Sequence, residues 1–439
     1  MNTIPATAAR SARRLERAIG AMPGELAGAL WSFAYFFFLL SGYYVLRPLR
    51  DEMGITGGVQ QLPWLFTGTF VAMLFAVPAF GALTARWPHR RFLPAVYYFF
   101  IANILGFYAL FTAGVGVTYI ARAFFIWTSV FNLFVVSVFW SFMVDRYSNA
   151  QARRLFGFIA ARGSAGAIVG PALTAGLATT WGHIQLLLLS AGLLAAAVVC
   201  IHALLRLPNA DRESPARDRA LGGGIWSGVG AVARDPYLLG IAGFILLYTT
   251  LSTFLYFEQA QLVRAAFDDA AQRTALFARI DLAVNILTIT TQVFVTGRIL
   301  QRVGVPVALA AIPALLVAGF AALALAPLLA VLIGLQVLRR AGDYAITRPA
   351  RELLFTVVGR EAKYKAKNVI DTVVYRGGDA VSGWFFAGLQ ALGLGLAGIA
   401  WVGVPIAAAW AALAWRLGRR QERLRLAPTH ESSAFKEAS

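Results

Sequence analysis

The sequence predicts an all-α polytopic membrane protein, with twelve transmembrane helices set out as two pseudo-symmetric six-helix bundles. Three observations carry that expectation. The composition is too apolar for a soluble protein, about a dozen apolar segments have membrane-spanning length, and two residue patterns recur at nearly one offset. The 439 residues are 59% hydrophobic and 14% charged, with a mean hydropathy of +0.67. A soluble domain is about 45–50% apolar and about 25% charged. Twelve spans of about 20 residues, each crossing a ~30 Å hydrocarbon core, take about 240 residues. Loops and two short tails remain, which excludes a soluble enzyme, a secreted scaffold and a disulfide-rich module.

Uninterrupted apolar stretches predict the first six helices over 26–46, 62–84, 92–113, 117–144, 157–180 and 183–206. The first follows a tail carrying Arg10, Arg13, Arg14 and Arg17 and is too long for a cleaved signal, so it reads as a signal-anchor. Six more are predicted over 236–257, 274–300, 305–326, 327–345, 368–391 and 394–416, of which 327–345 grades straight into charge. The polar interval Pro208–Asp235 divides six helices from six. The expected domains are a basic tail over 1–24, bundles over 25–206 and 236–417, a central loop over 207–235 and a tail over 418–439.

The net charge of +18 and pI near 10.6 read as topology once the basic residues are placed. With the N-terminus cytoplasmic, 33 of the 39 Lys and Arg fall on the cytoplasmic side. The remaining six are Arg47, Arg50, Arg122, Arg264, Arg273 and Arg279. That bias is the positive-inside pattern. It predicts both termini cytoplasmic, a bacterial inner membrane as the setting, the lipid bilayer as partner and no nucleic acid polymer.

The duplication rests on two correspondences. Helix 2 ends Gly81-Ala-Leu-Thr-Ala-Arg86 and helix 8 ends Gly297-Arg-Ile-Leu-Gln-Arg302, an offset of 216. Arg153 precedes Arg162-Gly163 by nine residues, as Lys367 precedes Arg376-Gly377, an offset of 214. Parallel six-helix repeats relate the halves of major facilitator-type carriers. The loop Gly81-Ala-Leu83-Thr-Ala85-Arg86 is also similar to that superfamily's loop signature, with Ala85 where the signature has Asp.

Charges inside spans cost about 2.5–3.5 kcal/mol each on translocon scales and default to functional candidates. The first cluster, Arg47-Pro-Leu-Arg50-Asp51-Glu52, closes helix 1 with two arginines on one helical face. It either grips an anionic group or snorkels at the external interface. The second runs from Arg339 to Asp379. It holds Lys363, Lys365 and Lys367, three of only four lysines, with Asp371 at i+4 from Lys367, then Arg376 and Asp379. These serve either phosphate contact or positive-inside decoration, and Arg376 with its counterpart Arg162 also fits a structural intramembrane pair. The third comprises Glu258, Arg264, Arg279 and Asp281, proton carriers or gate salt bridges. Arg122 is a further embedded cation. The single cysteine, Cys200, and four scattered histidines predict no metal site and no cofactor. No lysine follows a glycine, which excludes a P-loop ATPase. Absence of a Thr-Val-Gly-Tyr-Gly filter excludes a potassium channel.

The stretch Val45-Leu-Arg47-Pro-Leu-Arg50-Asp51 resembles the end of helix 1 in the ATP/ADP (NTP/NDP) translocases of plastids and obligate intracellular bacteria. Phe139-Trp140-Ser-Phe142 through Gln151-Ala-Arg153-Arg154-Leu-Phe-Gly157 resembles their helix 4–5 segment. Arg348-Pro349-Ala-Arg351-Glu352 and Lys363-x-Lys365-x-Lys367-x-x-Ile370-Asp371-x-Val373 resemble their helix 10–11 region. The resemblance implies nucleotide transport, with roles for Arg50, Lys367 and Glu258. It departs from the family at Arg50, where the family has Lys, and at Gln151, where it has Glu.

The expectation is therefore a secondary transporter, not an enzyme, moving a small-molecule anion such as a nucleotide or phosphorylated solute by alternating access. Arg47, Arg50, Arg122, Arg162, Lys367 and Arg376 are the expected substrate contacts. Asp51, Glu258, Arg279, Asp281, Asp371 and Asp379 are the expected gating or coupling groups. A proton-coupled carrier of another solute and a non-transport membrane scaffold are the alternatives.

Overall fold

A computed structural model describes residues 21–22, 24–86, 89–207 and 225–426, and every element among them is helical. Ten helical stretches are long and apolar enough to cross a membrane. The chain is an integral membrane protein. It forms two compact units, one of Met1–Ala220 with Ala260–Ile286 and one of Leu221–Gln259 with Leu287–Ser439.

The first unit is built on α1 (Leu26–Thr56), α2 (Leu62–Arg86), α3 (His89–Ala113), α4 (Val117–Arg146), α5 (Asn149–Leu177) and α6 (Leu186–Arg206). Apolar side chains alone do not hold helices together in lipid, so close backbone approach and buried polar contacts do more of the work. Gly166 and Gly170 supply that approach between α5 and α1. A Cβ at Gly166 would lie 2.5 Å from the Phe37 carbonyl oxygen, and one at Gly170 2.6 Å from that of Ser41. Between α1, α3 and α4 the core is aromatic. Phe36 stacks on Phe139 at 4.1 Å, while the Tyr35 hydroxyl donates to Tyr97 and Tyr97 donates to the Val135 carbonyl. The buried phenols are thereby satisfied, as burial in a low dielectric requires.

Gln151 has a structural task here. Ser148 caps α5 by accepting from the Gln151 amide N–H, while the Gln151 side chain accepts from the Ser148 N–H. Its side-chain NH2 also donates to Glu25 at 3.0 Å, and Arg154 reaches the same carboxylate at 2.8 Å. Glu or Gln at this position completes a capping box equally well, but only Gln adds a donor toward Glu25.

After α7 (Ile225–Arg234) come α8 (Pro236–Ala266) and α9 (Ala270–Thr291), which continues through a π turn, Gln292–Thr296, into α10 (Gly297–Arg302). Within these, Ala260–Ile286 group with the first unit. The remainder of the second unit comprises α11 (Gly304–Leu325), α12 (Leu329–Gly342), α13 (Arg348–Leu354), α14 (Arg360–Val369), α15 (Tyr375–Ala391) and α16 (Leu396–Leu426). Besides 274–300, two further spans expected as plain apolar helices, 327–345 and 368–391, are interrupted. A π turn over Asp343–Thr347 joins α12 to α13, and another over Ile370–Val374 joins α14 to α15. Charge brought in by Arg339, Arg340 and Asp343 in the first, and by Asp371, Arg376 and Asp379 in the second, keeps these two stretches out of the set of uniformly apolar helices. Such π turns recur at functional sites.

Candidate functional site

In the first unit the charges of the helix 1 cluster are engaged with protein partners. Glu52 is fully buried and takes a bidentate contact from Arg273 of α9, Nε at 2.7 Å and Nη2 at 2.8 Å. Its carboxylate also accepts from Thr56 at 2.7 Å. Arg273 Nη1 closes the turn before α9 by donating to the Phe267 and Asp268 carbonyls, both at 3.0 Å. One helical turn back on α1, Arg47 meets the buried Asp281 of α9 at 3.6 Å. Asn285 donates to the Ala167 carbonyl of α5 at 2.6 Å. Three polar contacts thus fasten α9 to α1 and α5 within this unit.

Arg50 lies with its guanidinium 3.9 Å from the Phe125 ring centroid and 3.3 Å from Asp51. Arg122 donates to the Gly57 carbonyl at 2.7 Å, capping the end of α1. Arg279 is exposed. The side chain of Arg162 lies outside the described residues.

The second unit gathers a different set. Asp343, in the first π turn, accepts from the Tyr248 hydroxyl at 3.2 Å and from Arg348 Nε at 3.0 Å. Arg348 holds its guanidinium 4.4 Å from the Tyr344 ring centroid, yet its side chain is 45% exposed. The Tyr248 and Tyr375 rings lie 5.9 Å apart. Arg376 pairs with Asp379 at 3.6 Å, one turn apart on α15. Lys367 pairs with Glu352, and Asp371 takes Arg351 at 3.3 Å. The sequence spacing predicts Asp371 as the partner of Lys367. The Lys367 ammonium meets Glu352, and its charge still acts on Asp371.

Deeper in this unit, Gln336 of α12 donates to Gln259 of α8 at 2.8 Å, and Arg339 donates to Gln336 and to Ser252. Glu258, 1% exposed on α8, has no hydrogen-bond partner on either carboxyl oxygen. Among the described residues no cluster of His, Cys, Asp and Glu could hold a metal ion.

The structure therefore brings Lys367, Asp371, Arg376 and Asp379 to one region with Arg348, Tyr344 and Tyr248. It brings Arg47, Arg50, Asp51, Arg122 and Asp281 to another. The second sequence cluster opens at Arg339, and Arg348 lies in the helix 10–11 motif, but the expected contacts and gating groups leave out Arg339, Asp343, Arg348 and Arg273.

No protein-family model matches the chain, and no curated protein matches it by sequence. Solved structures do. The nucleoside transporter NupG is 15% identical, with TM-score 0.61, covering 93% of this chain and 100% of its own. An auto-inhibited POT family peptide transporter is 14% identical, with TM-score 0.63, covering 92% of this chain and 98% of its own. A bacterial homolog of the human lysosomal transporter Spinster is 13% identical, with TM-score 0.61, covering 91% and 99%. At such identities the likeness concerns the fold, which is all-helical and major facilitator-like. The ATP/ADP translocase resemblance rests on the sequence motifs alone.

Proposed function

We propose that this protein is a secondary transporter that moves a nucleotide or a related phosphorylated anion by alternating access. The observation that carries the reading is the cation-and-aromatic surface of the second unit. Arg348, exposed and over the Tyr344 ring, stands with Tyr375, Arg376 and Lys367, next to the buried Tyr248. Guanidinium groups meet phosphate oxygens bidentately and tyrosine rings stack a base. Asp343 and Asp379 orient the arginines without neutralising the whole set, and Lys367 offers a mobile, strongly hydrated charge. The likeness to a nucleoside transporter supports the aromatic half of this surface, and the helix 10–11 motif supports the cationic half.

In the first unit, the contacts of Glu52 with Arg273 and of Arg47 with Asp281 then act as a gate rather than as substrate contacts. Exchange of ATP for ADP moves about one net charge, worth about 2.3 kcal/mol per 100 mV, so an imposed potential changes its rate.

Proteoliposomes preloaded with unlabelled nucleotide test the reading through uptake of labelled ATP and ADP. Uptake that requires internal nucleotide, responds to potential and fails in Arg348→Ala and Lys367→Ala is the expected result. Inserted, folded protein without nucleotide uptake would refute it.

Glu258 favours a second reading, a proton-coupled carrier of another solute. A carboxyl buried with no hydrogen-bond partner is costly as an anion, a cost that a bound proton removes. That reading expects uptake driven by a pH gradient without any internal counter-substrate, abolished by Glu258→Gln.

A further inference from the structure

Arg339 is a buried cation with no carboxylate within ion-pair range among the described residues; the nearest along the chain, Asp343 one turn on, is taken by Arg348. Arg339 is 5% exposed on α12, and its contacts are all neutral. Nε and Nη2 donate to Gln336 Oε1 at 3.3 and 2.8 Å, and Nη1 donates to Ser252 Oγ at 2.9 Å. Among the described residues no carboxylate pairs with it. Arg273, the other arginine buried among the described residues, is instead held bidentately by Glu52. Three of the five guanidinium N–H groups are engaged, which leaves one donor on each terminal nitrogen.

The surroundings fix this group rather than neutralise it. Gln336 is itself 2% exposed and is anchored by Gln259 of α8, so two helices hold the guanidinium at a set position. Removing a cation from water costs several kcal/mol, and neutral hydrogen bonds recover only part of that. A site with a fixed, undischarged guanidinium and two unengaged donors is complementary to one group: an oxyanion, which takes both donors and supplies the missing charge.

We propose that Arg339 is the anchor for the oxyanion of the carried solute. The proposal rests on the reading of the chain as a carrier, and it narrows the solute to one that bears a phosphate or carboxylate group. Arg348, Lys367 and Arg376 meet the solute at the exposed surface, and Arg339 takes the anionic group at the inner position. The unfilled charge also gives the empty carrier a reason to bind before it changes state, since the anion relieves the unbalanced cation.

The test uses the full-length purified protein. Thermal stability in detergent is followed for wild type, Arg339→Gln and Arg339→Lys, alone and with sodium pyrophosphate, ADP or succinate. Wild type is expected to be stabilised by one or more of these probes. Arg339→Gln, relieved of its unbalanced charge, should melt at or above wild type without ligand and show no ligand shift. Arg339→Lys keeps the charge but loses the fork, and its apparent affinity should fall at least tenfold. A ligand shift that survives in Arg339→Gln overturns the anchor, as does wild type unmoved by all three oxyanions. So does an Arg339→Lys variant that folds and binds as wild type, which decides the matter if Arg339→Gln does not fold. Succinate alone acting through Arg339 upholds the anchor and ends the nucleotide reading. An ADP shift indifferent to Arg339 does the reverse.

Discussion

Replacing Glu52 by Gln isolates the best-satisfied charge pair in the first unit. Glu52 is fully buried and accepts three hydrogen bonds, two from Arg273 at 2.7 and 2.8 Å and one from Thr56 at 2.7 Å. The substitution preserves volume but removes the anionic charge and one acceptor oxygen, leaving the Arg273 guanidinium with a single neutral amide oxygen beside the Phe267 and Asp268 carbonyls. Breaking a buried pair from one side costs about 3–5 kcal/mol, because the remaining charge is left unbalanced. Unfolding entropy is about 2.1 cal/mol/K per residue, or about 0.5 kcal/mol/K for a unit of roughly 250 residues. The melting temperature should therefore fall by about 6–10 °C, and by more if the denatured chain keeps its helices in detergent. Replacing both partners, as Glu52→Leu with Arg273→Leu, should restore most of the loss, since no lone charge remains. Size-exclusion thermostability of the four proteins gives the double-mutant cycle. A Glu52→Gln loss below about 1 kcal/mol, or a double variant as unstable as the sum of the singles, would refute the account of a buried, coupled pair.

Other expectations are local. Gly166→Val and Gly170→Val place a side chain against the α1 backbone and should abolish monodisperse protein, whereas Gly176→Ala, with open space around it, should melt like wild type. Restoring a carboxylate with Gln151→Glu keeps the capping box but sets two carboxylates against one Arg154. A loss of about 1 kcal/mol is expected, and thermostability reads it. Burial acts to raise the Glu25 carboxyl, but the Met22 N–H, the Gln151 amide and the Arg154 guanidinium together hold it below its ordinary value. Its contribution is therefore present above about pH 4.5 and is lost as pH falls through the lowered folded-state value. Glu25→Gln should flatten that acid limb in a pH series of melting curves. Arg348→Lys should retain charge but weaken uptake of any phosphorylated solute about tenfold or more, because an ammonium neither stacks flat on Tyr344 nor bridges two oxygens.

The sequence by itself determined the class of the molecule. Apolar length and the sidedness of arginine are properties of consecutive residues, so the spans and the membrane character are legible without coordinates. The two spans it described least well, 327–345 and 368–391, are those where a π turn and embedded charge coincide. Choosing a π turn depends on what surrounds Asp343 and Asp371 rather than on their neighbours in the chain. The site was half legible. Lys367, Arg376 and Asp379 stood out because charge inside an apolar run is expensive whatever it touches. Which charges pair was decided by tertiary structure alone. Glu52 finds Arg273 across 221 residues, and Lys367 finds Glu352 rather than Asp371. Arg339 reads in sequence as the start of a charged stretch that runs to Asp379, with nothing to set it apart from the other cations there. Only the packing of α8 and α12 buries it among neutral partners, because the energy of a charge is set by what lies around it in space.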